Sequence, residues 1–337
     1  MRPYVAGDED RIVSLLILVF NNWPHFDLNC SPLDHWRWKY MIDTSNFVNI
    51  YVAEHNSLII GNESRLRLRA KVGEKTLVCE QRCDLSVHPD YRGKGIFKKL
   101  HSLTNKASQK IGIYFSYAIE GNPIVINYLK KRGVPTFDRI VKNLYWIKNN
   151  RMFLEKHNKK NIWVYDLGFK LYKLIYRIKS KLFMHTNGEN SWVIKNILKF
   201  DDRFDVFWKE LSQEYDYILV RDRHYLNWRY CDQRGGTYII KAAEESSKIL
   251  GYIVLRINRL QEESPTGHIV DIQALPGYNS VIESLLKESI EFFSSSVSPF
   301  FKTLGNTCFF TYLYIVHPHL GNSLITEIIT CAPAFLS

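Results

Sequence analysis

The sequence has little of what marks a membrane, secreted or metal-binding protein. No apolar run reaches the ~18 to 20 residues that cross a bilayer as a helix. The opening stretch MRPYVAGDED is polar and acidic, without the basic and apolar regions of a secretory leader. Cysteine is scarce, six in 337 residues. Cys79 and Cys83 stand four apart, and no second pair of Cys or His nearby completes a zinc spacing. No metal is therefore expected, and the thiols read as those of a reducing, cytoplasmic compartment. Neither the dinucleotide pattern GxGxxG nor the P-loop GxxxxGK[ST] occurs.

What is present is a globular composition, 46% hydrophobic and 14% aromatic, in a length that suits two domains of ordinary size. The formal net charge of +11 favours anionic partners as a class: phosphate-bearing cofactors, anionic lipid or nucleic acid. Charge alone does not choose among them, and nucleic acid is not expected.

The chain also resembles itself. His35-Trp36-Arg37-Trp38-Lys39-Tyr40 is similar to Tyr225-Leu226-Asn227-Trp228-Arg229-Tyr230, with Trp38 and Trp228 190 positions apart. At the same offset Ala53-Glu54 falls on Ala243-Glu244 and Gly61 on Gly251, and a little later Asp84 and Pro89 fall on Asp271 and Pro276. Ordered anchors of this kind indicate a duplicated domain. Apolar periodicity predicts a helix over 10–20 and again over 204–214, each followed by the Trp-rich helical segment. Alternation then predicts strands over 49–54, 65–71 and 76–87 in the first copy, and over 238–243, 251–258 and 268–274 in the second. A helix closes each copy, over 95–111 and 280–294. The expected fold is α+β, two tandem domains of mixed, largely antiparallel twisted sheet flanked by helices. The repeated tryptophans read as packing residues rather than base-stacking platforms.

The predicted divisions are 1–148, a basic helical linker over 149–199, and 200–337. In the linker Leu167, Leu171, Leu174, Ile175, Ile178 and Leu182 share one helical face, with lysines and arginines on the others. Such a helix can pack on a domain or touch an anionic membrane surface through 167–183.

The chemistry concentrates at one turn. The strand ending in Leu85-Ser86-Val87 runs into His88-Pro89-Asp90-Tyr91-Arg92-Gly93-Lys94-Gly95-Ile96-Phe97-Lys98, and a helix starts there. Two glycines let a ligand approach the backbone, the helix start offers unspent N–H groups, and Arg92 and Lys94 add charge. This string resembles the acetyl-CoA signature of the GNAT N-acetyltransferase superfamily, Arg/Gln-x-x-Gly-x-Gly/Ala after a strand ending Val-x-Pro, with Phe97 in place of the last small residue. Asn122-Pro123 followed by Tyr128-Leu129-Lys130-Lys131-Arg132-Gly133 is similar to the strand-to-helix crossing that ends such domains.

The resemblance implies an acyl-CoA-dependent N-acyltransferase acting on a primary amine of a small molecule or amino sugar. Acetyl-CoA would lie on Arg92, Gly93, Lys94, Gly95, Ile96, Phe97 and Lys98, with its pantetheine arm along Leu85, Ser86 and Val87 and near Asn122. A main-chain N–H near Leu85 or Val87 would steady the oxyanion. The carboxylates available as base are Glu80 and Glu120, and Tyr128 is the candidate acid. Asp84 recurs as Asp271 and reads as structural. Non-catalytic acyl-CoA sensing and a membrane-surface or nucleic-acid role are the alternatives. After Pro276 the second copy reads Gly277-Tyr278-Asn279, without the basic glycine turn, so one acyl-CoA per chain is expected.

Overall fold

In the computed structural model the described residues are 1–24, 26–41, 48–113, 115–118, 123–134, 167–168, 171, 191–259 and 266–296. Both sheets are largely antiparallel, twisted and flanked by helices, an α+β fold. The chain divides into two compact units, one of Met1–Ile140 and Trp208–Thr237, the other of Val141–Phe207 and Tyr238–Ser337.

In chain order the first unit runs β1 (Arg2–Pro3), α1 (Glu9–Phe20), α2 (Pro32–Tyr40), β2 (Ile50–His55), β3 (Leu58–Val72), β4 (Lys75–Val87), α3 (Ile96–Lys110), β5 (Ser116–Tyr117) and α4 (Pro123–Lys130). Next come β6 (Val193–Ile197), α5 (Arg203–Ser212), β7 (Tyr217–Leu219), α6 (Arg223–Cys231), β8 (Ile239–Glu245), β9 (Lys248–Asn258), β10 (Thr266–Ala274) and α7 (Asn279–Ser296). Among the described residues, the first sheet has the order β1-β2-β3-β4-β5, with β7 paired to the far end of β3. The second has the order β10-β9-β8-β6.

The amphipathic pattern explains α1: Ile12, Val13, Leu15 and Leu16 fall on one face and are buried with Trp36, Ile50, Val52, Ile59 and Leu68. Ser31 caps α2 by accepting the Asp34 N–H, and Pro32 at its first position needs no acceptor. On the other sheet face Ile96 and Leu100 of α3 pack on Ala53 and Ile60. Gly61 makes that approach possible, since a Cβ there would lie 2.7 Å from Ile96 Cγ2 and 3.2 Å from Leu100 Cδ1.

Strand β3 begins at Leu58, ahead of the predicted strand over 65–71, because its polar stretch is satisfied internally. Asn62 donates to the Asp84 carbonyl, Ser64 to Asn62, and Glu63 pairs with Arg65. Val193–Ile197 is a strand, where the reading of 149–199 as a helical linker expected helix; its backbone pairs with the edge of β8. The remainder of that linker, with its basic stripe over 167–183, lies outside the described residues apart from 167–168, 171, 191–192 and 198–199.

The second unit follows the element order of the first from β8 onward, and local details recur at the 190-residue offset. The β2–β3 register slips between Ala53 and Glu54, and the β8–β9 register between Ala243 and Glu244. The hairpin turns Asn56-Ser57 and Ser246-Ser247 all have positive φ, the turn chemistry of tight hairpins. Gly251, like Gly61, lies under a helix, with Val281 Cγ1 at 2.9 Å from a built Cβ. The second core is aromatic, with Phe200, Phe204 and Phe207 around Tyr252.

Helix α6, although late in the chain, packs in the first unit. Trp38 stacks on Trp228 with centroids 5.1 Å apart and planes at 23°. Each indole N–H donates to the other residue's carbonyl, at 3.2 and 3.4 Å. The two tryptophans therefore pair with each other as core packing.

Candidate active site

The turn after β4 is an open cradle. His88 N–H bonds back to the Ile60 carbonyl at 2.9 Å, and a short 3-10 turn over Pro89–Tyr91 lifts the chain off the sheet. Gly93 and Gly95 have φ of 77° and 74°, the left-handed region that disfavours a Cβ. A Cβ built on either meets no atom within 4 Å, so both face open space. Gly95 is the N-cap of α3 and gives no side-chain cap, and the first turn holds no acidic residue. By position the N–H groups of Ile96, Phe97 and Lys98 have no acceptor inside the helix. Uncapped amides, the positive helix end and exposed Arg92, Lys94 and Lys98 fit a pyrophosphate. Lys94 Nζ lies 4.7 Å from the Tyr91 ring centroid.

Beside the cradle β4 parts from β5. The two are paired in parallel at Glu80↔Ser116 and Gln81↔Tyr117 alone. Beyond that point the β4 edge from Arg82 to Val87 has no strand partner among the described residues. Because His88 N–H points to β3, the period of two turns the Val87 N–H toward this free edge, with Ser86 facing β3. The cradle and the fork share one strand, so a ligand held by phosphate at the turn can run along it. A cleft of about 290 Å³, lined by Arg67, His224, Tyr225 and Trp228 among others, opens instead on the other edge of β3. It lies across β4 from the fork.

At the fork Asp84 is strained, with φ of 50°, inside a bulge where the β3–β4 register slips. Its carboxylate accepts from Trp23 Nε1 at 3.2 Å, Lys39 Nζ at 2.8 Å and the Tyr40 hydroxyl at 2.6 Å. Burial works to raise the Asp84 pKa, but the Lys39 charge and the three donors outweigh it and hold the carboxyl below its ordinary value. An ionised carboxylate so fully engaged locks the bulge and aims the main chain. The recurrence of Asp84 and Asp271 signalled a structural role in sequence; the ring of donors from Trp23 and from Lys39 and Tyr40 of α2 was not readable there. Asp271 in turn accepts from the Tyr252 hydroxyl at 3.1 Å.

Glu80 is 1% exposed, buried between sheet and α3. Its oxygens accept from Asn49 Nδ2 at 3.0 and 3.1 Å, Ser108 Oγ at 2.6 Å and Arg65 Nη1 at 3.3 Å. Arg65 also pairs with Glu63, which meets His101 at 3.1 Å. Tyr128 packs edge-on against Phe97, centroids 4.9 Å apart, with Arg132 over its ring at 4.7 Å. Phe97 thus serves the α3–α4 contact and leaves the amides clear. Glu120 and Asn122 lie outside the described residues. Burial pushes the Cys83 thiol up to about 11 and Cys79 up to about 12, so neither supplies a thiolate nucleophile near neutral pH. Among the described residues no group of His, Cys, Asp and Glu is arranged to hold a metal. None of the described helices is long and apolar enough to cross a membrane.

Residues 1–128 match the family model of a GNAT acetyltransferase domain. No curated protein gives a significant match. Among solved structures the chain is similar to a conserved protein of unknown function from Enterococcus faecalis V583, described as a probable N-acyltransferase. That likeness has a TM-score of 0.57 at 11% identity over 92% of this chain and 65% of the other. A GCN5-related N-acetyltransferase from Anabaena variabilis ATCC 29413 follows at 0.54 and 12%, covering 93% and 65%. One from Kribbella flavida gives 0.52 and 9%, covering 93% and 64%. At such identities the likeness is one of fold, and the chain spans about 65% of the length of these proteins. The similarity to a GNAT acetyltransferase domain thus covers residues 1–128, and the likeness to the solved structures is one of fold.

Proposed function

We propose that the first unit is an acyl-CoA-dependent N-acyltransferase that transfers an acetyl or other acyl group to a primary amine of a small molecule or amino sugar, in the cytoplasm. The observation that carries this reading is the open, uncapped glycine turn at Gly93–Gly95, continuous with the unpaired edge of β4. Acyl-CoA supplies the activated thioester. The amides of Ile96, Phe97 and Lys98, with Arg92 and Lys94, hold its pyrophosphate, and Leu85–Val87 hold the arm. The Val87 N–H, with that of Leu85 beside it, steadies the oxyanion that forms when the amine attacks. Asp84 keeps that stretch of main chain in place. Tyr128 is the described candidate to protonate the leaving thiolate. Glu80 serves the fold, because its oxygens are taken, which leaves Glu120 as the carboxylate for proton removal.

The spent carboxylate of Glu80 also favours a second reading, an acyl-CoA sensor without turnover. Thiol release with acetyl-CoA and a panel of primary amines separates the two. Amine-dependent release supports the enzyme; tight binding with no release above the amine-free rate supports the sensor. We read 200–337 as a second copy of the fold without the turn. Its α7 starts at Asn279 with no basic residue until Lys287, so one acyl-CoA binds per chain.

A further inference from the structure

Arg82 has no place in the network that absorbs the other buried charges. It lies on β4 one residue past the last β4–β5 pair, half-buried at the base of the fork. Its one described hydrogen bond is long, Nη2 to the Ser116 carbonyl on β5 at 3.4 Å, so the guanidinium reaches across the opening. Its Nε is buried without a partner, and no ion pair joins it to a described carboxylate. The contrast is Arg65 on the neighbouring strand, which has Glu63 and Glu80. Burial and the Arg65 charge both lower the Arg82 pKa, only partly countered by Glu63. A guanidinium brings several N–H donors in a planar fork that matches a carboxylate. Leaving the buried Nε without an acceptor is costly unless a ligand completes the site.

Resting on the acyl-CoA reading above, we propose that Arg82 is a specificity residue: it binds a carboxylate at the far end of the acyl chain, selecting donors of the succinyl or glutaryl class. Leu85, beside the proposed oxyanion site, is three residues along the strand, at most ~10 Å at ~3.3 Å per residue because the Asp84 bulge lies between. A short diacid chain and an extended arginine side chain fill that gap together. An acetyl group is too short to reach. A carboxylate on the amine acceptor would offer the same chemistry, so donor binding is measured with no acceptor present.

The test is calorimetric titration of the full chain with acetyl-CoA, butyryl-CoA and succinyl-CoA, for wild type, Arg82→Gln and Arg82→Lys. Butyryl-CoA matches the length of succinyl-CoA without the charge. Succinyl-CoA is expected to bind about tenfold or more tighter than butyryl-CoA, the range for a charge-assisted pair. Arg82→Gln should abolish that preference while leaving butyryl-CoA affinity within about twofold, and Arg82→Lys should keep part of it. Thermal melting of Arg82→Gln should be unchanged or raised, since an uncompensated cation is removed. Equal binding of the two esters by wild type overturns the assignment, as does a preference that survives Arg82→Gln. A melting point lowered by several degrees makes Arg82 structural and also overturns it. If no ester binds at all, the acyl-CoA reading has failed and this assignment falls with it.

Discussion

Substituting Glu80 by Gln separates a structural carboxylate from a catalytic base. The side chain has the same size, but one oxygen becomes an NH₂ that faces donors: Asn49 Nδ2 at 3.0 and 3.1 Å, Ser108 Oγ at 2.6 Å and Arg65 Nη1 at 3.3 Å. At least one donor then loses its acceptor, and Arg65, 1% exposed at its side chain, keeps the Glu63 carboxylate at 3.1 Å and the neutral oxygens of Ser108, Thr104 and Asn105. Breaking a buried ion pair from one side costs about 3–5 kcal/mol. The surviving Glu63 contact sets the expectation at the lower end, about 3 kcal/mol. For a folding unit of ordinary size each kcal/mol moves the melting midpoint by about 2–4 °C, so a fall of roughly 6–12 °C is expected. Circular dichroism melting at neutral pH measures it. A variant that melts within ~2 °C of wild type yet loses ~100-fold or more in turnover would behave as one lacking its general base, and the structural assignment would be refuted.

Gly61→Ala places a Cβ 2.7 Å from Ile96 Cγ2. It should cost about 1–3 kcal/mol by overpacking and weaken acyl-CoA binding by moving the first turn of α3; unchanged melting and unchanged affinity together would contradict that coupling. His35 is buried among Trp23, Phe26 and Trp38, and burial lowers its pKa from 6.5 to about 4 against the opposing Arg234 carbonyl. The unfolded chain therefore binds the proton first as pH falls, so stability is full above pH ~6.5 and declines toward pH ~4 by roughly 3 kcal/mol. Urea titrations across that window should show the slope in wild type and a flatter one in His35→Gln; equal slopes would exclude His35 as its source. Trp38→Ala and Trp228→Ala should each cost about 3–5 kcal/mol. Their double variant should fall short of the sum by ~1 kcal/mol or more, and strict additivity would argue against a direct pair.

Much of this fold was legible in the sequence because period and punctuation agree. The stripe Ile12-Val13-Leu15-Leu16 gave α1, alternation gave strands over 49–54 and 76–87, and Gly93 and Gly95 mark the turn before α3. What escaped was decided by long-range satisfaction of polar groups. Leu58–Ser64 carries Gly, Asn, Glu and Ser and stands ahead of the predicted strand over 65–71, yet Glu63 is accommodated by its strand neighbour Arg65 and by His101 on α3, a residue that periodicity cannot bring to it. Glu80 reads as an accessible carboxylate because strand alternation shows which face a residue takes but not what covers it; α3 covers it here. Asp84 was assigned a structural role from its recurrence, but its left-handed backbone and its donors on α2 emerge only when helix and sheet are packed. Arg82 carried no sequence signal, since an arginine is marked out by the partners it lacks.

The central claim is that the Gly93–Gly95 turn holds an acyl-CoA pyrophosphate, and calorimetric titration of wild type and Gly95→Val with acetyl-CoA tests it most directly. Valine at a φ of 74° is strained and projects its side chain into the open space of the cradle. Wild type should bind with a dissociation constant below ~100 µM, while Gly95→Val, still folded by circular dichroism, should show no measurable heat. Absence of binding by wild type, or equal affinity in the folded variant, would contradict the account.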